Sequence, residues 1–107
     1  MSQRVRRYLP VLKQIRKLGD RARREYVRKC DKEFIDCVSE CAKNVIKGNV
    51  PLTDRQKATL RPKRKDVKAL SLKKTSLRKK RRILQKGGFL TALLSPVLSI
   101  LGSLLLK

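Results

Sequence analysis

The sequence predicts an all-α protein with a small helical N-terminal region, a basic arm that is helical or partly disordered, and an apolar C-terminal helix, without an extended globular core. Apolar residues recur at three- and four-residue spacing in the first half of the chain. Lys and Arg dominate the second half until residue 88, and residues 89–106 are uncharged. One hydrophobic core normally draws apolar residues from the whole chain, so this abrupt change favours separate segments.

Charge divides the 107 residues into three segments. Residues 1–48, the helical region, hold 14 basic and 6 acidic residues. Residues 49–88, the basic arm, hold 15 and 2, and residues 89–107, the hydrophobic tail, hold one basic residue. The net charge of +22 exceeds what solubility requires, so a polyanionic partner is expected. A chain this short and without His is a poor enzyme scaffold, so we expect neither catalysis nor a cofactor.

The first predicted helices lie in the helical region. Apolar spacing over residues 4–18 predicts an amphipathic helix that Pro10 starts or kinks and Gly19 ends. Asp20 is placed to cap a second helix. The sequence therefore predicts a helical break near residue 19.

The clearest helix follows, from the predicted N-cap Asp31 to Lys47, and Gly48 is placed to end it. Its apolar face is the expected small core and consists of Phe34, Cys37, Val38, Cys41 and Val45. The three cysteines, Cys30, Cys37 and Cys41, share this face at spacings that separate them by about 10 and 6 Å along a helix. Structural zinc sites use closer pairs, so we favour buried apolar thiols over a metal site or disulfide, in a reducing compartment.

In the basic arm, Thr53 and Gln56 form a predicted capping box that opens a short helix, which Pro62 interrupts. Ser76 is a predicted N-cap of a helix that reaches Lys86. Like charges along this arm oppose helix formation until an anion neutralises them.

The arm's basic clusters fit nuclear import, nucleic-acid contacts or a solvated face, but a solvated face usually mixes signs and acids are nearly absent here. With only four aromatic residues in the chain, contacts to the phosphate backbone should dominate over base stacking. Double-stranded DNA is the expected partner, with RNA as an alternative. The predicted contact residues are Arg61, Lys63, Arg64, Lys65, Lys73, Lys74, Arg78, Lys79, Lys80, Arg81, Arg82 and Lys86.

The hydrophobic tail is at the lower edge of the length needed to span a membrane, and Pro96 should bend it. Small polar residues recur every four positions and predict a stripe for close helix packing, namely Thr91, Ser95, Ser99 and Ser103. We expect the tail to contact a capsid protein, a membrane or another copy of the chain. The alternative is a buried segment that packs on the Phe34-bearing helix.

The basic segment from residue 78, the diglycine Gly87-Gly88 and the apolar terminus resemble the precursor of the small adenovirus core protein X (mu). The whole chain, including the Cys-bearing helix, Val50-Pro51-Leu52 and Gly87-Gly88-Phe89-Leu90, is similar to short proteins encoded by Polinton (Maverick) elements and the related adintoviruses. The resemblance implies a non-enzymatic virion protein that binds and condenses packaged double-stranded DNA. It also implies residence in the virion and, during infection, in the host nucleus.

The resemblance further implies cleavage by a viral maturation protease between Gly88 and Phe89. The adenovirus protease recognises an aliphatic residue, any residue and then Gly-Gly; here Gln85 stands at the aliphatic position and Leu84 lies one place too early. The alternative is that the two glycines end a helix and are not a cleavage site. Two other functions stay open: a membrane-active or tail-anchored cationic protein, and a cellular RNA-binding protein.

Overall fold

The structure, a computed structural model, describes the backbone of residues 3–105 and the side chains of residues 3–100. The helices are α1 (Gln3–Arg7), α2 (Leu9–Lys17), α3 (Asp20–Lys29), α4 (Lys32–Ile46), α5 (Asp54–Leu60), α6 (Arg64–Ser71), α7 (Leu77–Leu84) and α8 (Phe89–Leu105). A single 3₁₀ turn, Arg61–Lys63, joins α5 to α6 at the predicted interruption by Pro62. No strand occurs among the described residues, and the all-α prediction is confirmed.

Capping bonds confirm three predicted helix starts. The Asp31 carboxylate accepts a hydrogen bond of 2.9 Å from the backbone N–H three residues later. Thr53 and Gln56 form the reciprocal capping box at 3.1 and 2.9 Å. The Ser76 hydroxyl accepts the N–H three residues later at 3.1 Å. Each bond satisfies an N–H group that the first helical turn leaves unpaired.

The remaining breaks differ in one detail from the prediction. Pro10 lies in the first turn of α2, and Gly48, with a φ of 79°, ends α4 in the left-handed region. Gly19, however, occupies the N-cap position of α3, and Asp20 is its first helical residue. The predicted cap was therefore wrong by one residue, because the Asp20 carboxylate accepts a 2.6 Å hydrogen bond from Arg23 instead of a backbone N–H.

The expectation of no extended globular core is not confirmed, because buried apolar residues come from all three segments of the chain. Helix α8 packs against α2, α4, α5 and α7. Its side chains Phe89, Leu90, Leu93, Leu94, Val97 and Leu98 are at most 7% exposed. The sequence interpretation underestimated the N-terminal helices, whose own apolar stripe is buried against this core at Val5, Leu9, Leu12 and Ile15. The tail thus packs as the alternative interpretation described, on α4, and on α2 as well.

Candidate nucleic-acid interface

The acidic side chains are largely occupied by cations of the protein itself. Ion pairs join Asp20 to Arg23, Glu25 to Arg28 and Lys29, Glu33 to Arg7, Asp36 to Lys32, and Asp66 to Lys86. These pairs are mostly exposed and add little stability. The ion pairs matter more for the electrostatic field of the protein. The chain has 30 basic and only 8 acidic residues, and because most of these acids are already paired, they offset little of the remaining positive charge.

Nine of the predicted contact residues have exposed side chains, and we call eight of them, without Lys86, the basic surface: Arg61, Arg64, Lys65, Lys73, Lys74, Arg78, Lys79 and Arg82. They follow one another along the 3₁₀ turn, α6, the connecting loop and α7. Helices α6 and α7 pack against each other, so the cations of both helices belong to one unit of the fold. This unit carries only one acid, Asp66, which Lys86 neutralises at 2.7 Å.

The other four predicted contact residues are less available. Lys63 is half-buried, and Lys86 is bound to Asp66. Lys80 is 7% exposed and Arg81 is half-buried, because both lie on the inner side of α7 with Ile83. The run of five basic residues from 78 to 82 is therefore divided by helical geometry, with three side chains facing outward and two inward.

Arg81 links α7 to the end of α3. Its guanidinium donates to the Val27 carbonyl oxygen at 2.8 Å and contacts the Cys30 sulfur at 3.3 Å. A cation at a helix C-terminus stabilises the unpaired carbonyl groups there. Burial raises the pKa of Cys30 although Arg81 opposes this, so the thiol stays protonated at neutral pH. Arg81 thus joins two helices instead of facing solvent.

Lys80 lines a cleft of about 620 Å³, which we call the basic cleft, between α4 and the loop that joins α6 to α7. The lining cations are Arg4, Lys32, Lys43, Lys73, Lys74 and Lys80, and the lining acids are Asp36 and Glu40. Four hydroxyl groups complete it, from Ser39, Ser71, Thr75 and Ser76. Most of these residues were missed by sequence reasoning. A signal existed in α4, where Lys32, Asp36, Ser39 and Lys43 recur at helical spacing opposite the apolar face.

The diglycine lies at an exposed bend, where α7 and α8 meet at 89°. Gly88 adopts a φ of 75°, and its backbone N–H near the Asp20 carboxylate helps to lower the pKa of that group. Phe89 is only 1% exposed, and its N–H donates to the Lys86 carbonyl oxygen at 3.2 Å. A protease needs an extended strand on both sides of the cut, so the first turn of α8 would have to open before cleavage.

The predicted polar stripe of the tail is only partly on the surface. Thr91 and Ser95 are half-buried, and the Ser95 hydroxyl donates to the Thr91 carbonyl oxygen at 2.8 Å. Ser99 is exposed, and the side chain of Ser103 lies outside the described residues. Among the described residues no single helix is long and apolar enough to span a membrane, although Leu77–Leu84 and Phe89–Ile100 together meet the length and hydropathy criteria across their bend.

Cys37 and Cys41 are fully buried in the core, as predicted. Cys30 does not share their helical face, because it caps the end of α3 before α4 begins, and it is half-buried. The hydrogen bond with the Cys37 thiol and burial together raise the pKa of Cys41, which keeps it unreactive. Within residues 3–100 no group of three His, Cys, Asp or Glu side chains is placed to hold a metal ion.

No protein-family model, curated protein sequence or solved structure matches this chain.

Proposed function

We propose that this protein is a non-enzymatic nucleic-acid-binding protein that coats and condenses double-stranded DNA through phosphate contacts. The observation that carries the proposal is the charge of +22 on a body measuring 36 × 27 × 27 Å, with most acids already paired internally. A compact protein with this field requires counterions, and a nucleic-acid backbone supplies them at high density.

The size of the protein fits this partner. Duplex DNA carries one negative charge per roughly 1.7 Å of axis, so 22 charges occupy about 37 Å of duplex. That length matches the 36 Å long axis of the protein. One copy lying along the duplex would neutralise the DNA beneath it, and many copies would remove the repulsion that keeps DNA segments apart.

The aromatic residues support backbone contacts over base reading. Tyr8 and Tyr26 pack edge-on against Phe34, with ring centroids 6.1 and 5.1 Å away, and Phe89 is buried in the core. No ring in the chain is then left to stack on unpaired bases, as single-strand-binding proteins require. Binding should accordingly depend little on sequence.

The virion assignment is the more specific part of the proposal, and it rests on the resemblance to adenovirus core protein X and to the Polinton and adintovirus proteins. In that setting the protein would reside in the virion and the host nucleus, with a maturation protease as a further partner. Mass spectrometry of purified particles tests it, because a virion protein must be recovered from them, intact or cut after Gly88. The burial of α8 speaks against tail anchoring in a membrane while the protein is folded.

The DNA-binding proposal is tested by the salt dependence of binding to a duplex of about two helical turns, measured by fluorescence anisotropy. The plot of log K against log salt has a negative slope. Replacing Arg78, Lys79 and Arg82 by Gln should make this slope shallower by about 3, at roughly 0.9 per lost phosphate contact. The matched control replaces three exposed cations of α2, Lys13, Arg16 and Lys17, and should change the slope by less than about 1. Equal losses in both variants would contradict a localised basic surface, and an RNA duplex of equal length tests the alternative partner.

A further inference from the structure

The basic cleft contains a largely buried cation without a close acid. Lys80 is 7% exposed, and its ammonium group forms neither a hydrogen bond nor an ion pair with the described residues, although Asp36 attracts it from a greater distance. Burial lowers the pKa of its ammonium group, an effect that Asp36 partly offsets and Lys32 reinforces. An uncompensated buried charge is costly, and proteins normally pair such groups. The position of Lys80 on the cleft wall leaves room for an anion to supply the missing partner.

A second buried polar group faces the same problem. The Ser39 hydroxyl oxygen has no hydrogen-bond partner among the described residues, and Ser39 lines the same cleft from α4. Buried hydroxyls usually have a partner, and a bound anion in the cleft would give Ser39 one. Lys80 from α7 and Ser39 from α4 thus line one space.

The rest of the lining fits an anion with several charges. The Ser76 oxygen accepts the Lys79 N–H, which leaves its own hydrogen free to donate. Among the lining cations, Lys32 is held by Asp36 at 2.9 Å. Counting all lining residues, six cations against two acids give a net charge of +4. The volume of about 620 Å³ lies within the range of small-molecule sites.

We infer that the basic cleft is a binding site for a compact oligophosphate anion, a small molecule that carries three or more phosphate groups. Lys80 and Ser39 line it from α7 and α4, and Lys73 and Lys74 line it from the α6–α7 loop. Lys73 and Lys74 belong to both the cleft and the basic surface, whereas the outward cations of α7, which are the proposed duplex contacts, do not line the cleft. The free oligophosphate and the phosphates of a nucleic acid share one chemistry, so the experiment has to separate the two sources.

The test is calorimetric titration of the full chain with tripolyphosphate at physiological salt, where we expect one bound anion per chain. Lys80→Met keeps the length of the buried side chain and removes the charge, and it should weaken binding by roughly tenfold or more. Lys79→Met is the matched control, because the same change is made one residue away on the exposed side of α7. It should alter affinity less than about threefold. Equal weakening by both variants, several anions per chain or no binding to the wild-type protein would overturn the inference.

Two further measurements keep the result interpretable. Lys80→Met should retain duplex affinity and its salt slope, whereas the Arg78, Lys79 and Arg82 variant should lose duplex affinity and retain tripolyphosphate. If Lys80→Met loses both ligands equally, the cleft belongs to the nucleic-acid surface and the separate site is refuted. Nuclear magnetic resonance titration of the unmodified chain covers the case in which a variant fails to fold. Shifts confined to Ser39, Thr75 and Lys80 support the site, and shifts spread along the outer face of α7 overturn it.

Discussion

Replacing Leu93 by Ala tests whether α8 is the core of the fold or an appended apolar segment. Leu93 is fully buried among the helices that pack on α8. Truncating a buried leucine removes its transfer free energy and leaves a cavity, and such changes cost about 3–5 kcal/mol. A domain of this size is stable by about 5–15 kcal/mol, so the variant should lose from about a fifth to all of its stability.

The assay is urea unfolding followed by circular dichroism at the helical band, with thermal unfolding as a second measurement. A loss of about 3 kcal/mol corresponds to a fall in Tm of roughly 12 °C or more for a domain near 100 residues. Leu18→Ala is the control, because Leu18 is 38% exposed at the end of α2 and its truncation leaves no cavity. That variant should lose less than about 1 kcal/mol.

Equal stability of Leu93→Ala and the wild-type protein would refute the core assignment. It would mean that α8 contributes nothing to the free energy of unfolding and that the three segments are independent. A fall in the midpoint with an unchanged m-value is the expected signature, since the same surface is exposed on unfolding in both proteins.

Three further predictions concern the links between helices. Gly88→Ala should destabilise the fold by about 1–2 kcal/mol in urea unfolding, because a side chain disfavours the left-handed backbone at this position. The control Gly87→Ala should be neutral within about 0.5 kcal/mol, and a larger loss at Gly87 would contradict this explanation. Arg81→Gln should cost about 1–2 kcal/mol through the lost bond to the Val27 carbonyl, and Arg82→Gln, on the exposed side of α7, should cost almost nothing; similar values would exclude the linking role. The hydrogen bond from Arg23 lowers the pKa of Asp20, so the stabilisation is complete above its unfolded-state pKa and is lost as pH falls through the folded one. The stability difference between Asp20→Asn and the wild-type protein should therefore be present at pH 6 and shrink below pH 4, and a constant difference would argue against the charge.

Local chemistry made the helices predictable from the sequence. The caps at Asp31, Thr53 and Ser76 depend on side chains that bond within three residues of themselves, so the local sequence is enough to predict them. Asp20 shows the limit of this rule, because Arg23 competes for its carboxylate and also donates to carbonyl groups at the end of α2. When a carboxylate can bind either a backbone N–H or a nearby cation, the residue type alone does not predict whether it caps the helix.

The candidate site was predictable only in part, because helical geometry divides a basic run that composition treats as uniform. Arg78, Lys79 and Arg82 face outward as expected for contacts, whereas Lys80 and Arg81 face the interior. The basic cleft was not predictable, since it forms where α4 meets a loop more than 25 residues later in the chain. Polar residues on α4 at helical spacing indicate an exposed face, and only the packing of the loop turns that face into a cleft.

The burial of α8 also changes what cleavage at the diglycine would do to the fold. If Gly87 and Gly88 joined two independent segments, cleavage there would release an apolar peptide and leave a folded basic protein. In the observed fold the same cut would separate α8, with its buried side chains Phe89 and Leu93, from the helices that it covers. The remaining residues 1–88 would keep all but one of the 30 basic residues and lose the helix that holds them together against their mutual repulsion. Cleavage after Gly88 would therefore couple to unfolding, and the product would depend on bound nucleic acid to neutralise its charge.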